Sequence, residues 1–201
     1  MKWKFVTASF GSNRYHQSAL RLIKQAREMK SFTEIIHVTD ESLGKYAPKV
    51  TKAYSKYLNE SFPGFGFYSW KPEIIHTLLS DDPNQGLIYI DAGCELHSNF
   101  LTRRRLEHMK RTAKIKGHFI HSLKYPEIFY TKSLVLDYFK LSQSQRFSPQ
   151  AQATWFMLAG SIGNEISVKW LDVTLEGIEM LSDHYENEAE EFVTHKFDQS
   201  L

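Results

Sequence analysis

Leu87-Ile88-Tyr89-Ile90 is an unbroken apolar run of β-forming residues, with turn-forming Asp81-Asp82-Pro83-Asn84-Gln85-Gly86 before it and Asp91-Ala92-Gly93 after it. Strand side chains point alternately to two faces, so a run with no polar position fits a strand buried on both sides. A carboxylate at the end of such a strand must be solvated, paired or bound to a cation. In open α/β sheets, ligands bind just outside the carboxyl ends of the strands. Asp91 is therefore the first candidate site residue. An aspartate that caps the next turn is the equal alternative.

Before this strand, Pro72 opens a helical pattern carrying Ile74, Ile75, Leu78 and Leu79; proline suits a first turn, where its missing N–H would be unpaired anyway. Gly64 and Gly66 stand among aromatics just upstream. The N-terminal stretch predicts a strand over 3–9, a loop over 10–13 and an amphipathic helix from Tyr15 to Met29, then a second strand over 34–39. Strand, helix and strand in ~40 residues make a βαβ unit with a parallel pair. Asn13 and Arg14 then sit on the same edge as Asp91. Residues 46–62 read as a helix or an irregular lid. Residues 98–116 predict a basic helix with Arg103, Arg104, Arg105, Lys110, Arg111, Lys114 and Lys116. Its basic side is a solvated face or a patch for an anionic acceptor or membrane headgroups. A strand over 117–121 puts His118 and His121 on opposite faces, a poor metal pair. A helix after Tyr130-Thr131-Lys132, an apolar strand over 155–158, a turn over 160–163 and a helix over 165–181 complete the pattern.

The 201 residues, 42% apolar and 24% charged, suffice for a sizeable core in a single domain over 1–201. A net charge of +2 predicts no strong affinity for nucleic acid. A single cysteine, Cys94, allows no intrachain disulfide and suits a reducing, cytoplasmic compartment. The start carries no apolar signal region, and no apolar run reaches the ~18 residues of a membrane span. There is no G-x-x-x-x-G-K-[ST], no G-x-G-x-x-G after the first strand, no G-x-S-x-G and no H-E-x-x-H. ATPase, dehydrogenase, serine hydrolase and zinc protease are thereby disfavoured. An α/β sheet with an acidic strand end and an aromatic glycine loop instead describes a nucleotide-sugar site. Aromatics stack on a base, an aspartate holds a ribose hydroxyl or a divalent cation, and phosphates need positive charge.

Five segments, in order, carry a resemblance. Gly64-Phe65-Gly66-Phe67-Tyr68-Ser69-Trp70-Lys71-Pro72 resembles the GYGYWxWKP segment of a group of bacterial GT-A type glycosyltransferases. Leu87-Ile88-Tyr89-Ile90-Asp91-Ala92-Gly93-Cys94 resembles their LLYLDAGC strand, and Tyr130-Thr131-Lys132 their WTKRD helix start. Ser148-Pro149-Gln150-Ala151-Gln152-Ala153 is similar to SPQxQAG, though Thr154 stands at the glycine, and His195-Lys196-Phe197-Asp198-Gln199-Ser200 is similar to HRHDQS. The first loop, Thr7 to Tyr15, fits more weakly.

The resemblance implies a GT-A, Rossmann-like fold: a mixed, mainly parallel sheet with helices on both faces. In that family the chain continues past DQS into a further helix, whereas this one ends at Leu201, so a missing C-terminal helix is expected. It implies sugar transfer from a nucleotide-sugar donor to a glycan or lipid acceptor, as in polysaccharide biosynthesis; the basic helix, and not the resemblance, leaves contact with the inner membrane surface open through 103–116. Donor binding falls to Ser9, Asn13, Arg14, Trp70, Lys71, Asp91 and Gly93. Lys71 is placed near the phosphates, and Trp70 is either core packing or a base platform. Gln150, Gln152, His195 and Asp198 line the sugar or acceptor side. A divalent metal, Mn or Mg, would be held by Asp91, with Glu95 either a second carboxylate or a cap of the next helix, although Asp-Ala-Gly replaces the usual Asp-x-Asp. Asp91 and Asp198 are the catalytic candidates, with Asp198 as base toward the acceptor hydroxyl if the reaction inverts. Two other functions compete: a nucleotide-sugar- or glycan-binding module without turnover, and a nucleotidyltransferase.

Overall fold

The computed structural model describes residues 1–80 and 84–201, so Asp81, Asp82 and Pro83 of the turn expected over 81–86 lie outside the described residues. β1 (Lys2–Ala8) leads into α1 (Asn13–Met29), β2 (Glu34–Val38), α2 (Asp40–Tyr46) and α3 (Pro48–Tyr54). A one-turn element, α4 (Gly64–Phe67), precedes α5 (Trp70–Ser80) and β3 (Gln85–Ile90). Next come α6 (Phe100–Lys116), β4 (His118–Pro126), and the short helices α7 (Glu127–Tyr130), α8 (Ser133–Tyr138) and α9 (Gln143–Arg146). β5 (Pro149–Ala159) and α10 (Gly160–Glu176) follow, and short 3₁₀ turns cover Ile178–Met180 and Phe197–Ser200.

The described strands form one five-stranded sheet in the order β2-β1-β3-β5-β4. The βαβ unit is present: β1 pairs with β2 in parallel, Phe5 opposite Ile35. β3 lies parallel to β1 on its other side and is buried at every position, as its unbroken apolar run requires. β5 then runs antiparallel to both β3 and β4. The sheet is therefore mixed, with two parallel and two antiparallel pairings, and the expected mainly parallel sheet is corrected. The reason lies in the connection. The short helices between β4 and β5 return the chain to the edge it left, with Pro149 opposite Pro126, instead of crossing over the sheet.

Each face has its own core. Val6 and Ala8 pack with Ile74, Ile75, Leu78 and Leu171, while Trp3 and Phe5 pack with Leu22, Ala26, Leu106 and Ala113. This is strand alternation put to use, with α5 and α10 covering one side and α1 and α6 the other. α10 begins at Gly160, where a turn was expected. Gly163 allows it: a Cβ there would lie 2.8 Å from Gly117 O, so only glycine lets the helix start this close to β4. The helix ends at Glu176, short of the expected Leu181. On α6, Lys110 is buried and donates to Ser31 O and Glu107, and Arg103 donates to Glu28 O, so part of the basic face is structural. No described helix is long and apolar enough to cross a membrane.

Candidate functional site

Three elements deliver a buried ionic bridge. β3 leads directly into Asp91, the first turn of α5 supplies Lys71, and the 3₁₀ turn Phe197–Ser200 supplies Asp198. Lys71 Nζ lies 3.2 Å from Asp91 Oδ1 and 2.7 Å from Asp198 Oδ2. The ammonium also sits 4.9 Å from the Tyr89 ring centroid and 5.1 Å from that of Tyr68. Tyr89 OH donates to Asp91 Oδ1 at 2.8 Å. Lys71 is fully enclosed and Asp198 nearly so, whereas Asp91 keeps about a third of its side chain in solvent. Burial pushes the Lys71 pKa down, but Asp198 and Asp91 outweigh it and the net shift is upward. Burial pushes Asp198 up to about 6 against the pull of Lys71, with Asp91 adding to the rise. Asp198 Oδ2 makes the ion pair but no aligned hydrogen bond among the described residues.

Asp91 also lines a cleft of about 550 Å³ whose walls include Ser9, Phe10, Ser12, Tyr15, Glu60, Phe65, Tyr68, Trp70 and Gly93. One wall is unusual in its backbone. Gly64, Phe65, Gly66, Phe67 and Tyr68 all have positive φ, so α4 is a left-handed turn. Left-handed geometry costs an L-residue roughly 1–2 kcal/mol. The cost is offset by hydrogen bonds from Phe67 N–H to Pro63 O at 2.6 Å and from Trp70 Nε1 to Gly64 O at 3.0 Å. Aromatic packing adds to this: Phe65 stacks on Phe10 at 5.1 Å, and Trp70 meets the same ring edge-on at 4.7 Å. A Cβ on Gly64 would fall 2.2 Å from the Tyr68 ring. Gly64→Ala is therefore expected to destabilise by about 1–3 kcal/mol and to displace Tyr68 from Lys71. Gly44→Ala, in open space inside α2, is expected to be neutral or to stabilise by up to ~1 kcal/mol. Urea midpoints of the two variants check this, and equal midpoints would refute the left-handed turn.

A second polar cluster backs the cleft. Ser9 Oγ lies 2.9 Å from His16 Nδ1 and 2.7 Å from His37 Nε2, and His16 Nε2 lies 3.4 Å from Asp40 Oδ2. Partner chemistry assigns the protons. The Asp40 carboxylate beside His16 Nε2 favours a proton on that nitrogen, so Ser9 donates to Nδ1 and accepts from His37 Nε2–H. Burial pushes the His37 pKa down, and His16 adds to that. The Gly11 N–H is already donated to Asp40 at 3.1 Å, so the loop after β1 offers that amide to no phosphate. Sequence reasoning missed His16, His37 and Asp40, because they come from separate elements with no motif spacing.

The expected site residues are distributed as follows. Ser9, Trp70, Asp91 and Gly93 line the cleft. Trp70 is both core and wall, since it is buried and its indole N–H is spent on Gly64. Asn13 and Arg14 lie on the exposed first turn of α1, where Asn13 pairs with Gln17 at 3.4 Å; their neighbours Ser12 and Tyr15 line the cleft instead. Glu95 is turned toward Arg21 at 3.4 Å. Asp91 is already engaged by Lys71 and Tyr89, and no group of three or more His, Cys, Asp or Glu among the described residues is placed to hold a metal ion. This donor set does not fit a divalent cation. Gln150 is fully buried, donating to Glu127 at 3.2 Å and accepting from Gln199 at 2.7 Å. His195 is buried between Lys132 N and Met180 O. Neither faces the cleft; both brace the segment that holds Asp198. Gln152 lines a separate hollow together with Asp198. Compared with protein-family models, curated proteins and solved structures, the chain has no match.

Proposed function

We propose that the chain is a glycosyltransferase of GT-A type that moves a sugar from a nucleotide-sugar donor in the aromatic cleft to a glycan or lipid acceptor. One observation carries the reading: Asp91, at the carboxyl end of a central strand, joins the aromatic cleft to a buried Lys71–Asp198 pair. The five resembling segments support it. The aromatic wall suits a base, and the Asp91 carboxylate suits a sugar or ribose hydroxyl. The N-terminus of α1 faces the cleft through Ser12 and Tyr15 and has no acidic residue in its first turn, so its positive end suits a diphosphate. Lys71, held by two carboxylates, orients them instead of meeting phosphate directly. Asp198, lifted to about 6, is a base near neutrality.

A second reading, a nucleotide-sugar-binding module without turnover, is favoured by the same bridge, because Lys71 leaves no cation free at its centre. Thermal unfolding with UDP-, GDP-, CDP- and dTDP-sugars, on wild type and Asp91→Asn, tests the donor site. Ligand at ~100 times its dissociation constant adds about 2.7 kcal/mol. One nucleotide class is expected to raise the melting temperature of wild type and not of the variant. Labelled-donor turnover then separates transfer from binding. Stabilisation by no nucleotide at all sinks both readings.

A further inference from the structure

α1 and α6 cover the same face of the sheet and share one core through Leu22, Ala26, Leu106 and Ala113. Their outer sides are alike in charge. α1 carries Arg14, Arg21, Lys24 and Arg27 against Glu28 alone, and α6 carries seven Lys or Arg against Glu107 alone. The whole chain has a net charge of only +2, so the rest of it is net acidic. Across the sheet, α10 carries Glu165, Asp172 and Glu176 against Lys169. Charge is thus segregated to one side of the molecule. Some of these cations are spent: Lys110 is buried, and Arg21 pairs with Glu95. Lys24, Arg27, Arg104, Arg105, Arg111 and Lys114 are exposed and make no ion pair or side-chain hydrogen bond among the described residues.

Apolar side chains stand open among them. Leu20 on α1 is 52% exposed, and Phe100, Leu101 and Ile115 on α6 are 75%, 67% and 81% exposed. Leu101, Arg104, Arg105, His108, Arg111 and Ile115 follow steps of three and four residues, so they share one outer face of α6. Leu20, Lys24 and Arg27 do the same on α1. A polyanion such as nucleic acid would meet the cations and leave the aliphatic side chains without contact. A lipid surface engages both, the cations at headgroup phosphates and the apolar side chains at the acyl boundary.

We propose that the outer face of α1 and α6 docks the protein on an anionic lipid bilayer. The cations meet headgroup phosphates, while Phe100, Leu101 and Ile115 enter the headgroup–acyl boundary at the two ends of α6. The inner sides of both helices stay on the sheet, so the protein lies on the bilayer without spanning it. Both helices begin at the strand ends that carry the aromatic cleft: Ser12 and Tyr15 at the start of α1 line it, as does Gly93 ahead of α6. Docking therefore sets one rim of the cleft beside the bilayer. It rests on charge and exposure alone and stands without the transferase reading.

Co-sedimentation of the full chain with vesicles tests this, using phosphatidylcholine alone and phosphatidylcholine with about a third of phosphatidylglycerol. The chain is expected to sediment with the anionic vesicles only, and to be released as salt rises. Arg104→Gln, Arg111→Gln and Lys114→Gln are each expected to weaken binding about fivefold, and Phe100→Ser with Leu101→Ser about tenfold or more. Lys169→Gln, on α10, is expected to change nothing. All these positions are exposed, so the variants should keep the far-UV circular dichroism of wild type. Equal binding to the two vesicles, or binding to neither, overturns the proposal. So does binding that Phe100→Ser with Leu101→Ser leaves unmoved, or an equal loss from Lys169→Gln. Tighter binding to a duplex DNA oligonucleotide than to the anionic vesicles gives the face to nucleic acid and overturns it as well.

Discussion

Lys71→Met is expected to destabilise the chain by roughly 3–5 kcal/mol, the scale for removing one partner of a buried ion pair. Methionine fills much of the lysine volume, so the loss is electrostatic more than steric. Asp91 can turn its carboxylate to water, because part of its side chain is already exposed. Asp198 cannot, because it is almost wholly buried and Lys71 is its ion partner. With the cation gone, the Asp198 pKa rises beyond its present value of about 6. A buried acid with a raised pKa stabilises the fold while protonated, and that contribution is lost as pH rises through the folded value. The Lys71→Met penalty should therefore be larger at pH 8 than at pH 5. Adding Asp198→Leu should recover most of it, since a buried pair replaced as a whole by apolar groups is often neutral. Urea unfolding of the three proteins at both pH values measures this. A penalty below ~1 kcal/mol at pH 8 would place the pair in water and remove the bridge from the site.

Which parts of this arrangement the amino-acid order discloses follows from how local each one is. The β1–α1–β2 unit shows in the change of apolar period within one short stretch, and the all-apolar 87–90 run marks the most buried strand. Asp91 stands out because a charge ends that run. The direction of β5 does not show: 155–158 is apolar whichever way it runs, and only the return from β4 sets it. The left-handed turn is half visible. Gly64 and Gly66 permit positive φ, but Phe65, Phe67 and Tyr68 disfavour it and are held there by Phe10, Phe197 and Trp70. The WKP segment identifies Lys71 as a candidate, yet its two carboxylate partners come from different elements, one of them at the far end of the chain. Ser9 with His16, His37 and Asp40 is a product of sheet topology alone. Gln150 and His195 look like ligand residues in a motif, and the packing around them gives them to the scaffold.

His195 should set the acid limit of that scaffold. Its Nδ1 accepts from Lys132 N–H and its Nε2–H donates to Met180 O at 2.9 Å, so the neutral ring satisfies both neighbours. Burial first, then Lys132, pulls its pKa from 6.5 down to about 3, against the hydrogen bond to Met180. Between those values the unfolded chain binds a proton that the folded one refuses. The stabilisation is present above pH 6.5 and is lost as pH falls toward 3, by about 1.4 kcal/mol for each pH unit crossed between the two values. Asp198 acts oppositely over part of the window, since its value rises from 3.8 to about 6. Its opposite slope offsets that of His195 between about 6 and 3.8, so the net loss on acidification falls above 6 and below 3.8. His195→Gln is expected to be less stable than wild type at pH 7.5 and to close that gap as pH falls toward 4, because the variant keeps the Asp198 contribution without the His195 loss. The consequence reaches the ionic bridge. Phe197, two residues after His195, packs its ring on Tyr68 at 6.0 Å, and Asp198 follows directly. Acid opening at His195 should thus free Asp198 from Lys71 before the sheet unfolds, seen as early loss of near-UV signal with far-UV signal retained. Parallel pH profiles for wild type and His195→Gln, or an imidazole that titrates near 6.5, would assign the acid limit to other groups.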